Sequence, residues 1–86
     1  MPEISRFLGI VIGMFYKDHN PPHFPAPYGE HEIAVSIRDG EVLWGAFPKR
    51  ALAHVMEWRQ AHLVQLEHDW ERARARQPLL PIEPLE

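Results

Sequence analysis

His19 and His23 bracket the tripeptide Asn20-Pro21-Pro22, and His31 follows Tyr28-Gly29-Glu30. Imidazoles exchange protons near neutral pH, so two of them can serve as general base and general acid, as in metal-free RNA cleavage. Tyr28, Lys17 and Glu30 are close enough in sequence to orient a substrate or to stabilise developing charge. For an enzyme, His19, His23 and Tyr28 are the catalytic candidates. Imidazoles also ligate metals, and His19, His23 and His31 are the candidate set for a divalent ion. The prolines disfavour a helix between His19 and His23. In a straight polyproline segment the two would stand about 12 Å apart along the axis, at ~3.1 Å per residue. Zinc requires ring nitrogens about 2.0–2.1 Å from the ion. A metal site therefore demands a sharp bend, from a cis proline at 21 or 22 or a turn at Asn20. The plainer use is structural: the rings hydrogen-bond to loop backbone while Phe24 and Tyr28 plug the end of a sheet.

Positioning these rings falls to the segment 18–29 and its flanks. Asn20, Pro21, Phe24 and Ala26 each precede a proline, which pushes them towards extended conformations. The segment reads as an ordered histidine-proline loop of low entropy. Before it, Ile10 to Tyr16 is β-branched and aromatic and predicts a strand. After it, alternating runs around Asp39-Gly40 predict a two-residue hairpin over 31–46. In that register Ile37 faces Val42, Val35 faces Trp44 and Ile33 faces Ala46, with Ala34, Ser36 and Leu43 on the other face.

Pro48 suits a first helical turn. Leu52, Val55, Met56, Leu63, Leu66 and Trp70 carry the three-four spacing of one amphipathic helix over 48–76. Arg59 interrupts the stripe, its stem lying along it, and Arg72, Arg74 and Arg76 complement the helix dipole. Three prolines keep the tail, 77–86, extended. The expected fold is α+β in a single domain over 1–86. A small antiparallel sheet of about three strands is packed by one long C-terminal helix, with an extended proline-rich tail. Such a helix is about 43 Å long at ~1.5 Å per residue, against a radius of gyration of ~12 Å. One end overruns the sheet, so either Leu79, Leu80, Ile82 and Leu85 fold back onto it or another chain does. Trp58, off the centre of the stripe, and His62 are candidate partner contacts.

The chain has 86 residues, 9 basic and 12 acidic side chains and a net charge of −3. Neither half has the basic excess that non-specific nucleic-acid binding requires, so an RNA contact would have to be local. There are no cysteines, which removes disulfides and thiolate ligands and fits a cytoplasmic protein. The apolar run from Phe7 to Tyr16 is too short for a spanning helix, which needs about 20 residues. Glu3 sits where a secretory signal would be positive. No membrane partner is expected.

Asp-His-Asn-Pro-Pro-His-Phe (18–24), Tyr28-Gly29-Glu30, Pro48-Lys49-Arg50 and Glu57-Trp58 together resemble a family of short bacterial proteins, domain of unknown function 4160. The resemblance runs from Pro2-Glu3-Ile4 to Ile82-Glu83-Pro84-Leu85. It implies membership of a two-gene module in the style of a toxin–antitoxin pair, and no established reaction. The family signature continues with a third histidine where this chain has Pro25, which weakens an enzyme reading. The leading expectation is a non-enzymatic interaction protein without a cofactor, whose partner is a small protein encoded by the adjacent gene or a second copy of the chain. Phe24, Glu30, Lys49, Arg50, Trp58 and His62 are its candidate binding residues. A metal-independent ribonuclease-like toxin and a small metal-binding module stand as alternatives.

Overall fold

The chain opens with a hairpin. In the computed structural model, which describes residues 1–16 and 18–85, β1 (Glu3–Phe7) pairs antiparallel with β2 (Ile10–Gly13). Phe7 stands opposite Ile10, and the connection is Leu8-Gly9, both left-handed at φ 52° and 79°. Two such residues form the mirror-image turn that matches strand twist. Leucine is not a residue that advertises this turn, so β1 escapes a reading by turn chemistry. The strand expected over Ile10 to Tyr16 ends early, at Gly13.

A second antiparallel sheet contains β3 (His23–Tyr28), β4 (His31–Ser36) and β5 (Val42–Ala46), in that order. The single sheet of about three strands is thus corrected to two sheets, and half of the expected loop 18–29 is strand. Pro25 and Pro27 explain both corrections. Side by side with β4 in continuous register, from His23 opposite Ser36 to Tyr28 opposite His31, β3 can place its prolines only on its far edge. That edge lacks two donors. β2 lies beside β3 but does not join its sheet.

The second hairpin exists, in a different register. Ser36 N–H donates to the Glu41 carbonyl, and Gly40 N–H to that of Ser36, so Asp39-Gly40 ends a four-residue loop. Val35 pairs with Val42 and Ala34 with Trp44, with Leu43 bulged out between them. Trp44 consequently faces outward and is 53% exposed, against the inward position expected for it. Arg59 holds the loop: its Nε donates to the Ile37 carbonyl at 2.9 Å and Nη2 to that of Arg38 at 2.8 Å. The Glu41 amide and then the Ser36 hydroxyl hold the Asp39 carboxyl below its ordinary range.

The single helix over 48–76 is corrected to two, α1 (Lys49–Ala61) and α2 (Leu63–Arg74). Pro48 is the N-cap of α1, and its carbonyl accepts from Leu52 N–H. The break is His62, at φ −128° and ψ 30°. Its N–H bonds to the Arg59 carbonyl, while its own carbonyl accepts from Leu66 and restarts the spiral. A straight helix would outrun the molecule, whose longest dimension is 34 Å. Bending lets Val55 and Trp58 of α1, and Leu66, Trp70 and Ala73 of α2, reach one core.

Trp58 sits at the centre of that core, 0% exposed, its ring 5.6 Å from Phe7 of β1 and 5.8 Å from Phe24 of β3. Its indole N–H donates to the Glu83 carbonyl at 2.8 Å. The expected partner contact is therefore a core residue. The tail resolves the overrun by folding back: Ile82 N–H donates to the Ile4 carbonyl and the Ile82 side chain is buried.

α2 ends with Gln77 N–H donating to the Arg72 carbonyl and Arg76 N–H to that of Ala73. Arg76 there holds φ 59°, a place that favours glycine. Arg76→Gly is expected to stabilise the protein by about 0.5–1 kcal/mol in urea unfolding. Gly45→Ala should act oppositely, costing about 2 kcal/mol or more. Gly45 has φ 88°, and a Cβ would strike the Glu32 carbonyl.

Candidate functional site

Where β3 begins, the chain turns a polar corner around His23. The His23 Nδ1 lies 2.7 Å from the Pro21 carbonyl oxygen and its Nε2 lies 3.0 Å from Asp18 Oδ2. A carbonyl and an ionised carboxylate only accept, so the doubly protonated ring satisfies both contacts. Asp18 Oδ1 also accepts from the His19 amide at 2.8 Å. Trp70 of α2 stands 5.5 Å from the His23 ring, and Ile37 N–H donates to the Pro22 carbonyl. The Asn20–Pro21 peptide bond is cis. Five separate contacts thus hold the corner in one shape.

His19 is different. Its side chain is exposed, and its ring has no hydrogen-bond partner among the described residues. It borders an open polar cavity of about 370 Å³ with Asp18, Asn20 and Arg74. Arg74 Nη1 donates to Asn20 Oδ1 at 3.4 Å. The corner can therefore offer one free imidazole and one guanidinium to an incoming anionic or polar group. It does not offer two free imidazoles.

The remaining candidates are scattered. Tyr28 and His31 close the other end of the β3–β4 ladder, about 17 Å from His23 at ~3.4 Å per residue. Tyr28 and His31 therefore do not converge with His23. Among the described residues no group of three or more His, Cys, Asp or Glu side chains can hold a metal ion. Phe24 is fully buried against Trp58, and His62 is half-buried with its ring 5.5 Å from the same indole. Neither is a ready contact surface. Glu30, Lys49 and Arg50 are exposed at the Tyr28 end. Lys17 lies outside the described residues. Sequence reasoning missed Arg74 and Trp70 as partners of the corner, because both come from a helix some 50 residues on.

Beside Trp70, Asp69 is 1% exposed. Its Oδ1 accepts from Leu80 N–H at 2.9 Å, and its Oδ2 is buried without a partner. Burial pushes the carboxyl above its ordinary value, opposed by the Leu80 amide and by the charges of Arg72 and His68. The native chain then binds more protons than the unfolded chain between the ordinary and the raised value, so stability falls as pH rises through that window.

Two expectations follow from these placements. His23→Ala should cost about 1–2 kcal/mol of stability, and His19→Ala less than about 0.5, in parallel urea titrations. Asp69→Asn keeps the Oδ1 acceptor and removes the buried charge. It should gain about 1 kcal/mol at neutral pH, with the gain vanishing towards about pH 3.

Among the described residues no helix is long and apolar enough to cross a membrane. Comparison with curated proteins and with solved structures finds no match. A family model does match, over residues 9–71, which takes in Asp18 to His23, β2 to β5 and α1. The chain belongs to the family described as Domain of unknown function (DUF4160).

Proposed function

We infer that the chain is a non-enzymatic interaction protein, one half of a toxin–antitoxin-like pair, and that it docks a small protein encoded by the adjacent gene. The observation that carries this reading is the His23 ring, held at both nitrogens by Pro21 and Asp18. A ring so engaged is a strut. It fixes the backbone from which His19, Asn20 and Arg74 project into the cavity, and binding to an ordered backbone loses little entropy. The exposed arginine and imidazole suit a partner segment that presents carboxylates.

One observation favours a second reading. His19 and Arg74 share an open polar cavity, and an imidazole beside a guanidinium is what a phosphodiester cleavage site needs first. That chemistry also requires a second proton carrier, which His23 in its present contacts does not supply. The non-enzymatic reading therefore leads.

The test is titration of the protein with the purified product of the neighbouring gene. A complex with Kd below about 1 μM is expected, weakened tenfold or more by combined His19→Ala and Arg74→Ala, with an unchanged melting temperature. Monomers that ignore each other at about 100 μM contradict the proposal. Growth arrest with RNA loss on expression, relieved by His19→Ala alone, transfers support to the ribonuclease.

A further inference from the structure

At the other end of β3, far from the histidine corner, the β1–β2 turn, Tyr28 and the start of α1 enclose a cleft of about 340 Å³. That volume lies within the range of small-molecule sites. Ile10 and Ala51 are buried and form its floor, while Leu8 and Pro48 are exposed at its rim. Tyr28 forms a wall whose orientation is set from behind: its ring lies 5.6 Å from Phe47 and stacks at 6.3 Å on His31. Gly9 packs on the Cδ1–Cε1 edge of the ring, where an added Cβ would stand 3.3 Å from Tyr28 Cε1.

Besides the Tyr28 phenol, the polar side chains of the cleft are basic: Arg50 and His54 line it, one turn apart on α1, and among the described residues no acidic side chain does. The first turn of α1 contains no acidic residue, and neither Arg50 nor His54 has an acidic partner among the described residues. Arg50 is thus a cation without an acidic partner among the described residues, with the His54 imidazole beside it, on one side of an apolar cleft.

Leu8 supplies an independent observation. It is bulky, 62% exposed, and held at φ 52°, where asparagine or glycine would fold with less strain. Neither packing nor turn geometry accounts for leucine at that position. A non-glycine residue at positive φ on a cleft rim motivates a functional reading. An apolar rim, a fixed aromatic wall and a cationic side are complementary to one chemical class.

We propose that this cleft binds a small planar aromatic compound carrying a single anionic group, the ring against Tyr28 and Leu8 and the anion against Arg50 and His54. The anion can be a carboxylate or a phosphate monoester, and the two are separated by the probes used. The site is distinct from the docking corner, and the proposal stands without it.

The test is a pair of amide-resolved NMR titrations of the full chain, one with indole-3-acetate and one with adenosine 5′-monophosphate. Inorganic phosphate and the cationic amine tryptamine are the controls. At least one of the two anions is expected to saturate near 1 mM, with shifts confined to residues 8–10, 28 and 48–54, and the tighter one assigns the anion. Arg50→Ala should weaken it about tenfold. Leu8→Asn should raise the melting temperature and yet weaken binding about fivefold, a combination that a merely structural leucine would not give. No localised shift with either anion at about 10 mM overturns the proposal. So does equal binding of phosphate or tryptamine, or full affinity in Arg50→Ala.

Discussion

Pro25 and Pro27 carry no amide hydrogen, and they lie two residues apart on a strand that β4 pairs from end to end. Of the three β3 residues whose N–H would face away from β4, His23, Pro25 and Pro27, two therefore have no donor. That edge packs against β2 without a ladder to it, and the strands divide as two and three. The same constraint sets the ends of β3. Its first residue is His23, delivered to α2 and to the Asp18 turn, and its last is Tyr28, delivered to the start of α1. Two separate surfaces, a polar corner and an apolar cleft, are placed by one proline-bearing strand.

Trp58 makes the rest of the fold follow those strands. Its ring touches Phe7 and Phe24, one from each sheet, and its indole N–H reaches a tail carbonyl. His62, four residues on, packs on the same ring just where the helix breaks. Burying a ring of this size contributes on the order of 3 kcal/mol or more. It ties sheet, helices and tail into one packing problem. Arg59, its neighbour, is a buried cation whose guanidinium is satisfied by loop carbonyls instead of a carboxylate.

What could be read in the sequence is what is local. The α+β class, the hairpin around Asp39-Gly40 and the helix starting after Pro48 each rest on neighbouring residues. What failed depends on distant partners. The loop at 37–40 is held by Arg59, some 20 residues away, and the Leu43 bulge turned outward the Trp44 that was expected inside. The stripe ran on through His62 because a three-four pattern does not register a bend. β1 was lost because a leucine took a turn position that asparagine or glycine normally marks. Of the histidines, spacing placed His19 and His23 in one proline-stiffened segment. It was silent on the oxygens that occupy His23 and on the arginine beside His19.

The functional account rests on this inequality between two imidazoles a few residues apart, one fixed and one free. Nitrogen-15 NMR of the histidine rings tests it most directly. The account predicts for His23 a single rotamer and a slowly exchanging Nδ1–H, coupled through its hydrogen bond to the Pro21 carbonyl carbon, while the His19 ring averages freely. A His23 ring as mobile and as solvent-exchanged as that of His19 would contradict the account.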